Sequence, residues 1–270
     1  MVKLINTNKL PPKLYHYRSF NNEHIKVITQ QTIFFSSPEK YNDPFDCKIL
    51  PNMNLVTPKQ YLKYYSKTKK VKFISEEHKR KFEETIQDIY QDVQESHNDE
   101  STRNGMRFFD NAATGILCLS KQFNNILMWG HYSDNHTGFC IGFNTRKLLN
   151  EIKELDYFGK VKYSRKYPKI KPTTNEIHNI KLRYFYKSKD WDYEKEYRLL
   201  IKDIKNRVKP ISKEVLSEII LGCQMDKIAQ DIMIREIKTN LPDVKIYKAK
   251  RSEKKFSLVF EKVHYDKPNK

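Results

Sequence analysis

Polar and apolar positions alternate in short runs along most of the chain, and each run predicts a strand. Leu14-Tyr15-His16-Tyr17-Arg18 is the first, set behind the breaker Pro11-Pro12. Residues 32–36 form a second, ended by Ser37-Pro38. Residues 115–120, 138–143, 215–221, 244–249 and 256–260 repeat the pattern with more apolar content. Between them the pattern predicts short helices over 21–30 (opened by an Asn cap), over 124–132 (carrying Met128 and Trp129) and from Thr145. Longer helices are expected over about 175–188 and 226–239, the first reached through a basic, proline-containing connection over 161–174.

Residues 58–100 change character. They are rich in Lys, Glu and Gln and broadly helical, with Tyr61, Tyr64, Tyr65, Phe73, Phe82, Ile86 and Tyr90 facing inward. A polar loop is expected at 98–104. Strands interspersed with helices, without regular beta-alpha-beta repetition, predict an α+β fold. The expectation is a single domain over 1–270. It has a mixed, mainly antiparallel central sheet, flanking helices and a helical insertion at about 58–105.

One further run, Trp191-Asp192-Tyr193-Glu194-Lys195-Glu196-Tyr197-Arg198-Leu199-Leu200-Ile201, also reads as a strand. On a strand Glu194, Glu196 and Arg198 share one side and Trp191, Tyr193 and Tyr197 the other. Two carboxylates so placed repel unless a cation, metal or ligand lies between them. The competing explanation is a solvated sheet face on which Arg198 neutralises one acid.

Composition narrows the picture. Hydrophobic residues make up 38% and charged residues 31%, but 17 Tyr and 15 Phe are too many for a disordered chain. Fifty-one Lys plus Arg against 33 Asp plus Glu give a net charge of +18, which suggests nucleic acid, an anionic surface or a phosphate-bearing ligand. Lys far outnumbers Arg, as an AT-rich genome would produce in any protein, while base readout favours Arg. The charge therefore favours a nucleic-acid partner only modestly. The four cysteines (Cys47, Cys118, Cys140, Cys223) form no Cys-x-x-Cys pair, so no zinc knuckle or redox motif is expected. No leader and no membrane-length apolar run is visible, so the expectation is a cytoplasmic protein with no membrane partner.

Three blocks carry candidate chemistry besides the glutamates. His16 and Arg18 share a strand face suited to a phosphate or a ribose hydroxyl, or else decorate an edge strand. Tyr41-Asn42-Asp43-Pro44-Phe45-Asp46 either closes an Asx turn or presents acids, with no metal-ligand spacing around them. The block from Met128 to Gly138 holds Trp129, His131, Tyr132 and His136 in a polar-aromatic loop, with Gly130 and Gly138 allowing close approach to a ligand. The two histidines are five apart, which suits ring stacking or hydrogen bonding rather than zinc, and Trp129 suits a core anchor. No metal site is expected. Walker, Gly-x-Gly-x-x-Gly, Gly-x-Ser-x-Gly and His-Glu-x-x-His motifs are absent.

In order, the blocks are the 14–18 strand, Phe35 to Pro38 with Tyr41 to Asp46, Leu117 to Ser120, Met128 to Phe143, and Trp191 to Arg198. Together they resemble the bacterial domain-of-unknown-function family numbered 2971. A more distant resemblance is to ADP-ribosyltransferase-type folds. It implies a His or Arg on an early strand (His16 or Arg18), then a Ser or Tyr (Ser36, Tyr41 or Ser120), then a Glu near the end (Glu194 or Glu196). The Glu-x-Glu spacing is similar to that of arginine-directed members. The resemblance implies NAD as substrate, and no cofactor is assigned beyond it. Glu196, Glu194 and Arg198 are then the catalytic candidates. The nucleotide-binding candidates are His16, Arg18, Ser36, Tyr41, Asn42, Asp43, Ser120, Trp129, His131, Tyr132, His136 and Trp191.

Three readings stay open. One is an NAD-using transferase or glycohydrolase, in a setting of bacterial or phage conflict and defence. The second is a nucleic-acid-binding or nucleic-acid-processing protein. The third is a binding module without chemistry, in which the glutamates pair with Arg and Lys.

Overall fold

The computed structural model describes residues 2–7 and 9–263. The strands of the amino-terminal half are β1 (Lys3–Ile5), β2 (Lys13–Arg18), β3 (Thr32–Phe34), β4 (Gly115–Ser120) and β5 (Phe139–Asn144). They continue with β6 (Tyr157–Lys160), β7 (Lys162–Ser164), β8 (Tyr186–Ser188) and β9 (Glu196–Ile201). The last are β10 (Val208–Pro210), β11 (Leu216–Leu221), β12 (Lys245–Arg251) and β13 (Leu258–Lys262). The first four helices are α1 (Lys26–Thr29), α2 (Pro58–Thr68), α3 (Glu76–Asn98) and α4 (Glu100–Ala113). The others are α5 (Ile126–Tyr132), α6 (Thr145–Glu151), α7 (Glu176–Tyr184) and α8 (Lys227–Asn240). The chain divides into two compact units. The first is Met1–Ser36, Thr114–Val161 and Asp190–Lys270; the second is Ser37–Ala113 and Lys162–Lys189.

The first unit is built on a nine-stranded sheet in the order β1-β6-β9-β4-β2-β5-β11-β12-β13. Only β1/β6 and β11/β12 are parallel, so the sheet is mixed and mostly antiparallel and the fold is α+β. The period-two pattern of β2 sorts its side chains between two layers. Leu14 joins the main core with Leu119, Ile141 and Leu199, covered by Ile28 of α1, Leu148 of α6 and Met233 of α8. Tyr15 and Tyr17 face the other way, onto Met128 and Trp129 of α5. β5 is central and apolar on both faces, which is why it reads as a near-continuous hydrophobic run.

The sheet is unevenly bonded. β2 follows β5 from Lys13 to Arg18, yet meets β4 at a single pair, Tyr15 and Ser120. β9 fills the other edge of β4 from end to end. The opposite end of β4 is instead partnered by Ser36, which exchanges two backbone hydrogen bonds of 2.9 Å with Ile116.

The second unit is mainly helical. Pro58 opens α2 behind a reciprocal cap in which Thr57 and Gln60 satisfy each other's backbone N–H groups. α3 buries Ile86 and Tyr90, and the Tyr90 hydroxyl donates to the Val56 carbonyl at 2.7 Å. Tyr61, Tyr65, Phe73 and Phe82 form a chain of ring contacts, though Phe73 stays 40% exposed. β7 and β8 make a two-stranded parallel ribbon. Among the described residues no helix is long and apolar enough to cross a membrane.

Three expected elements are corrected. The polar loop at 98–104 is helix: Asp99 alone interrupts, and its carboxylate accepts the Thr102 N–H at 2.6 Å to cap α4. The helix expected over 175–188 stops at Tyr184, with Phe185 as its C-cap, and Tyr186–Ser188 turns to strand and pairs with β7. The run 191–201 is not one strand. Lys189–Glu194 winds into 3-10 turns, Lys195 takes a left-handed φ of 47°, and only Glu196–Ile201 is extended. Asp190 and Asp192 favour turns over ladders, and their alternation with Trp191 and Tyr193 imitates a strand.

Candidate active site of the first unit

The 3-10 segment and α5 bring the site together. Asn125 caps α5 by accepting the Leu127 and Met128 N–H groups, and its amide donates to the Tyr193 carbonyl at 3.1 Å. The Ser120 hydroxyl donates to the Glu194 carbonyl at 2.6 Å and accepts the Gln122 N–H at 3.0 Å. These bonds fix residues 193–194 against the end of β4. From α5 the Tyr132 hydroxyl donates to Oε1 of Glu194 at 2.6 Å.

Glu196 opens β9, opposite Ser120, and Arg198 lies opposite Cys118. Nε and Nη2 of Arg198 donate to the two oxygens of Glu196 at 2.8 and 3.0 Å, a bidentate grip. Exposure is 2% for Glu194, 5% for Glu196 and 0% for Arg198, so the solvated-face explanation fails. A buried pair of this kind adds little net stability, because desolvation offsets the attraction, but losing one member costs about 3–5 kcal/mol. Burial first, then the Glu194 charge and hydrogen bond and the Glu196 charge, raise the Tyr132 phenol far above its ordinary value. Tyr132 therefore stays protonated and stands among both carboxylates.

A group of rings borders these acids. His131 is exposed and touches Tyr132, Trp191 and Tyr193 with centroids 6.2–6.4 Å apart. Trp191 and Tyr193 are 6.1 Å apart and half-buried. Trp129 is fully buried; its ring meets Tyr17 edge-on, its Nε1 donates to the Phe123 carbonyl, and His136 stacks on it at 13°.

The loop after α5 is strained. Asp134, Asn135 and His136 all have left-handed φ, at 49°, 51° and 69°. Backbone bonds hold it: Gln224 N–H donates to the His136 carbonyl and Gly222 N–H to the Gly138 carbonyl. A Cβ on Gly222 would lie 2.0 Å from the His136 oxygen, and one on Gly138 would lie 2.1 Å from the Arg18 oxygen. The close approach expected at Gly138 is thus to β2 and not to a ligand, while Gly130 has open space.

The register separates the remaining candidates. Tyr15, Ser120 and Glu196 are mutual partners across β2, β4 and β9 and share a face. His16 and Arg18 are one step out of phase, opposite Ile141 and Phe139 of the main core, so they point to the other face. There burial, then Arg18 and His24, hold His16 well below its ordinary pKa. Burial draws Arg18 down to about 10, with Cys118 opposing. Ser36 sits at the far end of β4. Tyr41, Asn42 and Asp43 belong to the second unit, where Asp43 Oδ1 accepts the Phe45 N–H at 2.8 Å in an Asx turn. Among the described residues no group of three or more His, Cys, Asp or Glu is placed to hold a metal.

Sequence reasoning passed over Tyr193, Asn125 and another buried acid, Glu218. The Glu218 carboxylate accepts from the Tyr15 hydroxyl at 2.8 Å and pairs with Lys13 at 2.7 Å. A lone acid inside Leu216-Ser217-Glu218-Ile219-Ile220-Leu221 was the available signal.

Residues 128–199 match the model of a protein family of unknown function, DUF2971. The matched segment runs from Met128 of α5 to Leu199 of β9 and so contains Tyr132, Glu194, Glu196 and Arg198. Neither the curated proteins nor the solved structures gave a match.

Proposed function

We propose that the first unit carries a site that cleaves the nicotinamide–ribose bond of NAD, passing the ADP-ribosyl group to water or to an acceptor. One observation carries this reading: two buried carboxylates gather around the Tyr132 phenol, one of them gripped by Arg198. Breaking the C–N bond sends its electron pair out with nicotinamide and leaves an oxocarbenium-like ribose. A fixed carboxylate in a desolvated site stabilises that positive charge and accepts a ribose hydroxyl. Arg198 keeps Glu196 from rotating. Glu194, tethered by Tyr132, lies beside the rings of His131, Trp191 and Tyr193, against which a flat nicotinamide can stack. His16 and Arg18 stand outside this arrangement and take no step in it.

The test is nicotinamide release from NAD by the wild type, Glu194→Gln, Glu196→Gln and Tyr132→Phe, with melting curves for each. Wild-type release is expected, falling about 10²–10³-fold in Glu194→Gln and Glu196→Gln at temperatures where they stay folded. No release by the folded wild type, with water or with protein and nucleic-acid acceptors, overturns the proposal. So does full activity in both Gln variants.

A further inference from the structure

The second unit contains a cavity of about 840 Å³ that owes nothing to the carboxylate site. That volume lies within the range of roughly 300–1,000 Å³ typical of small-molecule sites. Three rings line it, and each is more than half exposed: Phe45 at 63%, Phe108 at 57% and Tyr167 at 54%. Phe45 and Tyr167 meet edge to face with centroids 6.3 Å apart, so the wall offers both a ring face and a ring edge. Phe45 and Tyr167 touch each other yet stay largely in water, as Phe108 does, around one hollow.

The polar lining holds two cations, Lys48 and Arg107, and one acid, Glu39. Lys48 reaches in while paired to Glu39 at 2.9 Å. Arg107 donates from Nη1 to Asn104 at 3.0 Å, and its buried Nε has no hydrogen-bond partner. Among the described residues no carboxylate lies within ion-pair distance of Arg107. Beside the wall, Asp43 is 3% exposed and its Oδ2 has no hydrogen-bond partner. Tyr167 senses the charges of Arg107, Asp43 and Arg183, so the guanidinium and the acid both lie near that ring.

We propose that this cavity binds a nucleotide, its base against Phe45, Phe108 and Tyr167 and its phosphate on Arg107 with Lys48. A bare phosphate has no use for three exposed rings, and an apolar ligand has none for an unpaired guanidinium. A flat ring and an anion joined in one molecule use both. The same chemistry is offered by a free mononucleotide and by one unit of a single strand, for which a net charge of +18 supplies long-range attraction.

Calorimetric titration of the full chain with AMP, GMP, CMP and UMP, with a short single-stranded oligonucleotide, and with inorganic phosphate tests this. Saturable mononucleotide binding, weakened about tenfold or more by Phe45→Ala, Tyr167→Ala or Arg107→Gln, supports a free nucleotide as ligand. Binding of the oligonucleotide alone, weakened by the same variants, supports a strand. Photocrosslinking of the bound ligand to the wild type, with mapping of the modified peptide to Phe45 or Tyr167, makes the result independent of how variants fold. Failure of both ligand classes overturns the proposal. So does binding that Phe45→Ala and Tyr167→Ala leave unchanged, or crosslinks that map only elsewhere. Glu196→Gln is expected to bind like the wild type, so the outcome stands apart from that of NAD cleavage.

Discussion

In the first unit the ion pair and the ring of Trp129 are sealed. Arg198 has no exposed surface, Glu196 has 5%, and Trp129 is completely enclosed. In the second unit the same residue types stand open, with Phe45, Phe108 and Tyr167 more than half in water beside an arginine that pairs with no acid among the described residues. The contrast separates two ways of holding polar chemistry. A buried ion pair is committed to its partner, and its geometry is set before any ligand arrives. An open ring-and-cation hollow has satisfied little of its capacity and gains contacts only when something enters.

The largest effect should come from breaking the sealed pair. Arg198→Met leaves Glu196 buried without its bidentate partner and should cost about 3–5 kcal/mol by denaturant unfolding. Adding Glu196→Leu should recover much of that loss. A single-variant cost below about 1 kcal/mol would mean that water screens the pair, and the contrast between units would collapse. Next comes Tyr132→Phe, which removes a hydrogen bond to a charged acceptor and should cost roughly 1.5–3 kcal/mol.

The pH response of the first unit should follow its partly buried histidines. His16, His24 and His136 in the first unit are all held below the ordinary imidazole value, with burial the leading cause. The unfolded chain then takes up protons that the folded unit refuses. Stability is therefore full above about pH 6.5 and declines as pH falls below it, toward the lowered folded values. Substituting His16 by Gln should flatten that acid-side decline, measured as urea midpoints between pH 7 and 5. An unchanged slope would show that His16 takes up its proton equally in the folded and unfolded states. The smallest effect is expected at the open hollow: Phe45→Ser should move stability by no more than about 0.5 kcal/mol, since little packing is lost.

Much of this architecture can be read from the chain. The apolar runs of β4, β5 and β11 and the Asp226 cap of α8 announce themselves through periodicity and capping chemistry. β1, β7, β8 and β10 are three-residue strands, too short for alternation to register, and exist through their partners. The glutamate run shows the other limit. Alternation at 191–194 has the same period as a strand, and only the left-handed Lys195 distinguishes a 3-10 turn feeding into one. Glu194, Glu196 and Arg198 were legible as a group, but burial was not, because the sequence carries no record of what covers them. His16 and Arg18 were legible as sharing a face. Which face that was depends on a register set by strands more than a hundred residues away.

The single rung between Tyr15 and Ser120 gives the nine-stranded sheet a pivot. A ladder of several rungs resists rotation, whereas one pair lets the four strands ending at β4 change their twist against the five beginning at β2 with little backbone bonding lost. Helix α5 straddles that pivot, with Trp129 lodged against Tyr17 on one side and Tyr132 holding Glu194 on the other. Through those two contacts α5 joins β2 to the segment that leads into β9, across the one place where the sheet holds a single rung.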